Sequence, residues 1–190
     1  MKPIGERDAL LVVDPQNDFC PGGALAVPEG DQIFDNVNRL LPRFGHVLAT
    51  QDWHPAKHSS FQPQGGPWPV HCVQGSHGAA FHTWLHPERI QQVIQKGVDV
   101  GTDGYSGFAG TALATRLRDL GVERVVLCGL ATDYCVRATA LEALQNGFQA
   151  VVVTDAVAAV NVRPGDGRKA LDEMQAAGAE LVDTAEVLAG

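Results

Sequence analysis

Val125-Val126-Leu127-Cys128-Gly129-Leu130-Ala131-Thr132-Asp133-Tyr134-Cys135-Val136-Arg137 decides how this chain folds. Its opening run, Val125 to Cys128, is short, continuous and apolar, which suits a strand buried on both faces of a parallel sheet. Beyond it, Val136, Ala140, Leu141 and Leu144 recur at helical spacing and Gly147 supplies a stop. Cys135 is therefore expected at the carboxyl end of a strand, where a helix begins. In open α/β sheets ligands bind along that edge, and a helix N-terminus lowers a thiol pKa from about 8.5 toward neutrality. Cys135 is thus a candidate nucleophile. Taken alone, a cysteine there more often packs the junction as a small apolar residue, so its partners must decide.

Working outward, the same grammar repeats. Ala9 to Val13 is a pure apolar run ending at Asp14, and Val47 to Thr50 is a second, ending at Asp52. Gln92 to Gln95 is a short strand that delivers Lys96 into a glycine-rich loop, Gly97 to Gly110. Between the strands, Asp31 to Phe44 has its apolar residues on one helical face with Asp31 as N-cap, and Thr111 to Leu120 is a helix closed by Gly121. Ala150 to Val153 is a strand ending at Thr154-Asp155, Arg168 to Ala177 a last helix, and Glu180 to Val182 an edge strand. Strand–helix alternation predicts a Rossmann-like, three-layer α/β/α fold around a mostly parallel sheet. The whole chain, 1–190, reads as one domain with an insertion at about 52–90, too long to be a mere connection.

Right-handed crossovers bring the carboxyl ends of the strands to one rim. Asp14, Asp52, Lys96 and Cys135 are therefore expected together. Asp14 reads either as a turn former or as a base for the Cys135 thiol, and Lys96 either as a surface residue or as the charge that steadies both. Asp52, His54 and His71 combine one carboxylate with two imidazoles, a ligand set for a first-row metal, and His58 is a fourth ligand or a partner of the others. Histidines scattered in a wet loop are the alternative. Against it, five of the seven histidines, His54, His58, His71, His77 and His82, lie within thirty residues of this one segment. Phe19, Trp68 and Tyr105 fall on three rim loops, where they either cap the core or hold a flat ring.

Composition narrows the field. A formal net charge of −8, without a Lys/Arg cluster, argues against a nucleic-acid partner. The four cysteines, Cys20, Cys72, Cys128 and Cys135, form no C-x-x-C pair, so free thiols are expected. No leader-like opening and no apolar run long enough to span a bilayer is seen, so the expectation is a cytoplasmic protein without a membrane partner.

These residues carry a resemblance. Val13-Asp14-Pro15-Gln16-Asn17-Asp18-Phe19, Asp52-Trp53-His54-Pro55 through Ser60-Phe61, Trp68-Pro69-Val70-His71-Cys72, Lys96-Gly97 with Tyr105-Ser106-Gly107-Phe108, and Gly129 to Val136 occur in order along nearly the whole chain. The chain resembles the nicotinamidase branch of the isochorismatase-like cysteine hydrolase family. The resemblance implies hydrolysis of nicotinamide, and of pyrazinamide, with Asp14, Lys96 and Cys135 as catalytic triad and Asp52, His54 and His71 as metal ligands. It also implies a cis peptide before Ala131, with the Ala131 and Cys135 amides as the oxyanion hole. Phe19, Trp68, Tyr105 and Leu130 would contact the substrate. The implied cofactor is a divalent metal, Zn²⁺ first, with Fe²⁺ or Mn²⁺ as alternatives. A monomer and a homo-oligomer are both left open. The nearest rival is a metal-independent relative acting on another small amide or a carbamoyl compound. More distant rivals are a non-haem iron oxygenase and a non-catalytic binding module.

Overall fold

The computed structural model describes residues 2–189. Its centre is a six-stranded sheet in which every neighbouring pair is parallel: β1 (Asp8–Val13), β2 (His46–Asp52), β3 (Gln92–Lys96), β4 (Arg124–Leu130), β5 (Gln149–Ala158) and β6 (Glu180–Val182), in the order β3-β2-β1-β4-β5-β6. The chain builds outward from β1 to β3 and then returns to lay β4 on the other side of β1. That reversal is the switch point at which α/β sheets bind ligands. Asp14 leaves β1 and Cys135 follows β4, one on each side of it.

Alternating side chains divide the core into two layers. Leu10, Val12, Ala49, Val126 and Cys128 face α1 (Phe34–Leu40) and α5 (Thr184–Ala189). Ala9, Leu11, Val13, Val125 and Leu127 face α2 (Leu113–Asp119), α3 (Arg137–Gln145) and α4 (Asp166–Ala176). Covering both faces is what makes the central strands unbroken apolar runs, and every residue of β1 and β4 is buried. Gly129, at φ +112°, lets the end of β4 close on β1, since a Cβ there would come within 2.1 Å of the Val13 carbonyl oxygen.

Three elements differ from the sequence reading. The helix expected over Asp31 to Phe44 is α-helical only from Phe34 to Leu40, with Ile33 rather than Asp31 at its cap, and it tightens into a 3₁₀ turn over Leu41–Arg43. Pro42 has no N–H to continue the ladder. β5 does not stop at Val153: it continues through a bulge to Ala158, past Thr154 and Asp155, whose polar side chains bond to the Val182 carbonyl and to the start of α5 at Thr184. α5 was not foreseen from the sequence. Among the described residues no helix is long and apolar enough to cross a membrane. Residues between β2 and β3 form 3₁₀ turns and isolated bridges, including His54 with Val73 and Phe61 with Trp68.

Candidate active site

Lys96 ends β3 fully buried, and its ammonium is the hub of the rim. Nζ lies 2.7 Å from Asp14 Oδ2, 2.5 Å from Asp52 Oδ1 and 3.4 Å from Cys135 Sγ, and it donates to the Gly104 carbonyl. Burial opposes the ammonium, but the two carboxylates and the thiol hold its pKa well above the ordinary lysine value. Asp14, also fully buried, is fixed by Thr50, whose hydroxyl donates to Oδ1 at 2.6 Å and accepts the Asp14 N–H at 3.1 Å. Its Oδ2 faces the Lys96 ammonium at 2.7 Å and, among the described residues, accepts no well-directed hydrogen bond. Desolvation pushes the Asp14 carboxyl up to about 6 despite Lys96, with Asp52 adding to the rise.

Cys135 lies in a turn of π-helix, Thr132–Val136, between β4 and α3. The Tyr134 and Val136 N–H groups donate to the Ala131 carbonyl at 3.1 and 3.0 Å. The Leu130–Ala131 peptide is cis. The helix start does not make Cys135 a resting thiolate: burial pushes its pKa well above the ordinary thiol value, Lys96 opposes this, and Asp14 and Asp52 reinforce it. The thiol therefore keeps its proton until an acceptor takes it. An Asp14 carboxylate oxygen lies within 4.8 Å of the sulfur. Cys20, Cys72 and Cys128 are also free and buried, with the Cys20 thiol pushed up to about 12 by burial and Asp31.

On the other side of Asp52, Oδ2 lies 3.2 Å from His54 Nε2 and 3.8 Å from His71 Nε2. The backbone sets both tautomers. His54 Nδ1 is 2.9 Å from the Gly97 carbonyl and His71 Nδ1 2.8 Å from the Pro69 carbonyl. A carbonyl only accepts, so each Nδ1 carries the hydrogen; in the neutral ring each Nε2 then offers a lone pair, and when the His54 ring is protonated its Nε2–H donates to Asp52. Three buried acceptors within 4.8 Å of one another call for a cation, so the residues fit a divalent metal. Burial opposes ionised Asp52, but Lys96 and the His54 hydrogen bond outweigh it and hold the carboxyl below the usual range. Asp52 lifts His54 above its ordinary value against desolvation, whereas desolvation wins at the more distant His71. His58 stays outside this cluster, its ring stacked on that of His54.

Both groups open into one cavity of about 260 Å³. Phe19, Trp68 and Tyr105 line it, and Trp68 Nε1–H donates to the Tyr105 hydroxyl at 2.8 Å. Tyr134 packs edge-on to Trp68 at 5.0 Å, and Leu25, Val27 and Val160 complete the apolar wall. Leu130 is a correction: it is fully buried, packs in the layer of Val126 and Cys128, and does not itself line the cavity. Residues alternate in direction along β4, so Leu130 shares the face of Cys128.

Residues 8–186 match the isochorismatase domain family. The chain belongs to that family. A nicotinamidase from Escherichia coli (strain K12) is 46% identical, with 94% of this chain and 95% of the relative covered. A solved structure of PnC1 from L. infantum, in complex with nicotinate, superposes with a TM-score of 0.92 at 41% identity, covering 97% of this chain and 96% of that one. A pyrazinamidase of Pyrococcus horikoshii, in complex with zinc, gives 0.88 at 50% identity, covering 93% and 99%.

In this isochorismatase-family chain the sequence reading missed several contributors. Thr50 was legible only as the last residue of a strand, and Tyr134 only as a neighbour of Cys135 in the opening stretch. Leu25, Val27 and Val160 carry no local signal, because their approach to the cavity depends on how two loops fold back. Gln16 is fully buried, accepting the Asp52 N–H and donating to the Asp52 carbonyl, both at 2.8 Å. It holds the backbone that carries the carboxylate.

Proposed function

We propose that this chain hydrolyses nicotinamide to nicotinate and ammonia, and pyrazinamide in the same way, through a thioester on Cys135. The observation that carries the reading is the placing of one buried ammonium, Lys96 Nζ, against Asp14, Asp52 and Cys135 at 2.7, 2.5 and 3.4 Å. Such a group joins a thiol and its base to a candidate metal centre in one apolar, ring-sized cavity. The nicotinamidase and the nicotinate-bound relative support the same substrate.

Asp14 takes the thiol proton as Sγ bonds to the carboxamide carbon, so the nucleophile forms only when substrate is present. Lys96 keeps positive charge beside the carboxylate and the sulfur throughout. The Ala131 and Cys135 N–H groups receive the tetrahedral oxyanion. Asp14 returns the proton to the amide nitrogen, the C–N bond breaks, ammonia leaves and a thioester remains. Water then adds with its proton passing to Asp14, the C–S bond breaks, the thiol is reprotonated and nicotinate departs. Asp52, His54 and His71 would hold the metal, which supplies a Lewis-acid anchor for the ring nitrogen. The soft-to-borderline imidazole pair with one carboxylate suits Zn²⁺, with Fe²⁺ and Mn²⁺ accommodated by the same donors. Phe19, Trp68 and Tyr105 orient the ring. Free buried thiols suit a reducing cytoplasm.

The test is ammonia release from nicotinamide, pyrazinamide and a panel of aliphatic and carbamoyl amides, by wild type and Cys135→Ala. Wild type is expected to prefer the aromatic amides, and Cys135→Ala to lose at least about 10³-fold in turnover. Faster release from the carbamoyl compounds, or undiminished turnover in Cys135→Ala, would overturn the reading.

A further inference from the structure

The three buried histidines after β2 are held by the backbone in two opposite ways. His54 and His71 turn Nε2 toward Asp52, as described. His58 is reversed: its Nε2 lies 2.9 Å from the Thr102 carbonyl, so Nε2 carries the hydrogen. Its Nδ1 lone pair is taken by the Ser60 hydroxyl at 2.7 Å, with the Ser60 N–H at 3.3 Å. His58 therefore has no lone pair left for an ion, although it is only 2% exposed and its ring centroid sits 4.1 Å from that of His54.

Thr102 belongs to the segment between Gly97 and Tyr105, and Gly101, Thr102, Asp103 and Gly104 form part of the cavity wall. The segment has little apolar anchorage: Val98 and Val100 are exposed. Polar contacts hold it instead. The Gln74 side chain donates to the Val98 carbonyl, the Ser59 N–H to the Val100 carbonyl, His58 to the Thr102 carbonyl and Lys96 to the Gly104 carbonyl. It also lies flush on the ring that His58 stacks against, since a Cβ on Gly97 or Gly104 would come 2.4 or 2.9 Å from His54 Cε1. Of these contacts, His58 alone reaches the middle of the segment with a side chain and touches a candidate metal ligand at the same time.

We propose that His58 is a positioning residue and not a metal ligand: it latches residues 98–104 down as a wall of the cavity and braces the His54 ring. The identity of the molecule enclosed rests on the proposed nicotinamide hydrolysis, but the latch does not. The discriminating variants are His58→Phe, which keeps a ring against His54 and loses both hydrogen bonds, and His58→Gln, which retains a donor and an acceptor. In Zn²⁺-loaded protein, amide hydrogen exchange over 98–104 is expected to quicken about tenfold in His58→Phe, the scale of one lost hydrogen bond. KM for nicotinamide is expected to rise by a similar factor with a smaller change in kcat, and His58→Gln to recover most of both. Bound zinc, counted by native mass spectrometry, is expected to match wild type in both variants. Loss of zinc from both variants would make His58 a ligand and overturn the proposal. So would unchanged exchange over 98–104 in His58→Phe. If wild type itself releases no ammonia from nicotinamide, the functional reading fails, while exchange and zinc content still decide the latch.

Discussion

Lys96 and Asp52 form a buried ion pair, Nζ to Oδ1 at 2.5 Å, and it joins the two halves of the site. Through Lys96 the pair reaches Asp14 and Cys135. Through Oδ2 of Asp52 it reaches His54 and His71. One carboxylate thus links the Cys135 thiol, through Lys96, to the two histidines, so the two groups cannot move independently.

Removing that ammonium is expected to be costly. Lys96→Met keeps the length of the side chain but leaves two buried carboxylates facing each other, and losing one partner of a buried pair typically costs about 3–5 kcal/mol. Urea unfolding is expected to show a loss of this size together with loss of turnover. Adding Asp14→Asn is expected to recover part of the stability and none of the activity. A Lys96→Met protein of wild-type stability would show that the pair carries no net energy.

The pH dependence has a definite sign. Because burial raises the Asp14 carboxyl to about 6 in the folded chain, the folded state binds more protons there than the unfolded one between about pH 4 and 6. Asp14 therefore contributes stability at low pH that is lost as pH rises through 6. Catalysis needs the opposite form, the carboxylate, so kcat/KM is expected to rise through pH 6. Asp14→Asn is expected to lose activity and to gain stability relative to wild type at pH 7.5 compared with pH 4.5. An acid limb well below pH 5 would contradict this assignment.

Metal removal is best read at His71, which has no contact with Lys96 of its own in the structure. His71→Ala is expected to bind less Zn²⁺, measured by native mass spectrometry, and to raise KM for nicotinamide more than it lowers kcat. A chelator is expected to do the same to wild type, reversed by added Zn²⁺. Equal KM values with and without metal would remove ring anchoring from its role.

Tyr105 holds Trp68 by a single hydrogen bond of 2.8 Å. Tyr105→Phe keeps the ring and deletes that bond, typically worth about 1 kcal/mol. The expected result is a KM increase of about 5-fold with kcat little altered, and broader indole fluorescence. A fall in kcat alone would place the hydroxyl in the chemistry instead.

Much of the fold was legible because parallel strands buried on both faces must be continuous apolar runs, as Ala9–Val13 and Val125–Cys128 are. Where polarity interrupted that signal the reading stopped short, as at Thr154 and Asp155, which β5 accommodates by bonding them to β6 and α5. The rim residues Asp14, Asp52, Lys96 and Cys135 were legible together because strand ends share one edge. Leu130 misled because strand alternation, invisible when a whole run is apolar, turns it into the core.

By itself the sequence determined the parallel sheet, the shared edge of its strand ends and the chemical inventory at the rim. Each follows from local pattern: apolar runs, turn residues and right-handed connection. Tertiary structure alone decided which nitrogen of each histidine carries the hydrogen, because that depends on the carbonyls of Gly97, Pro69 and Thr102, brought in by other loops. It also decided that Cys135 rests as a thiol, since burial and two nearby carboxylates are properties of the packed site and not of the stretch around the sulfur.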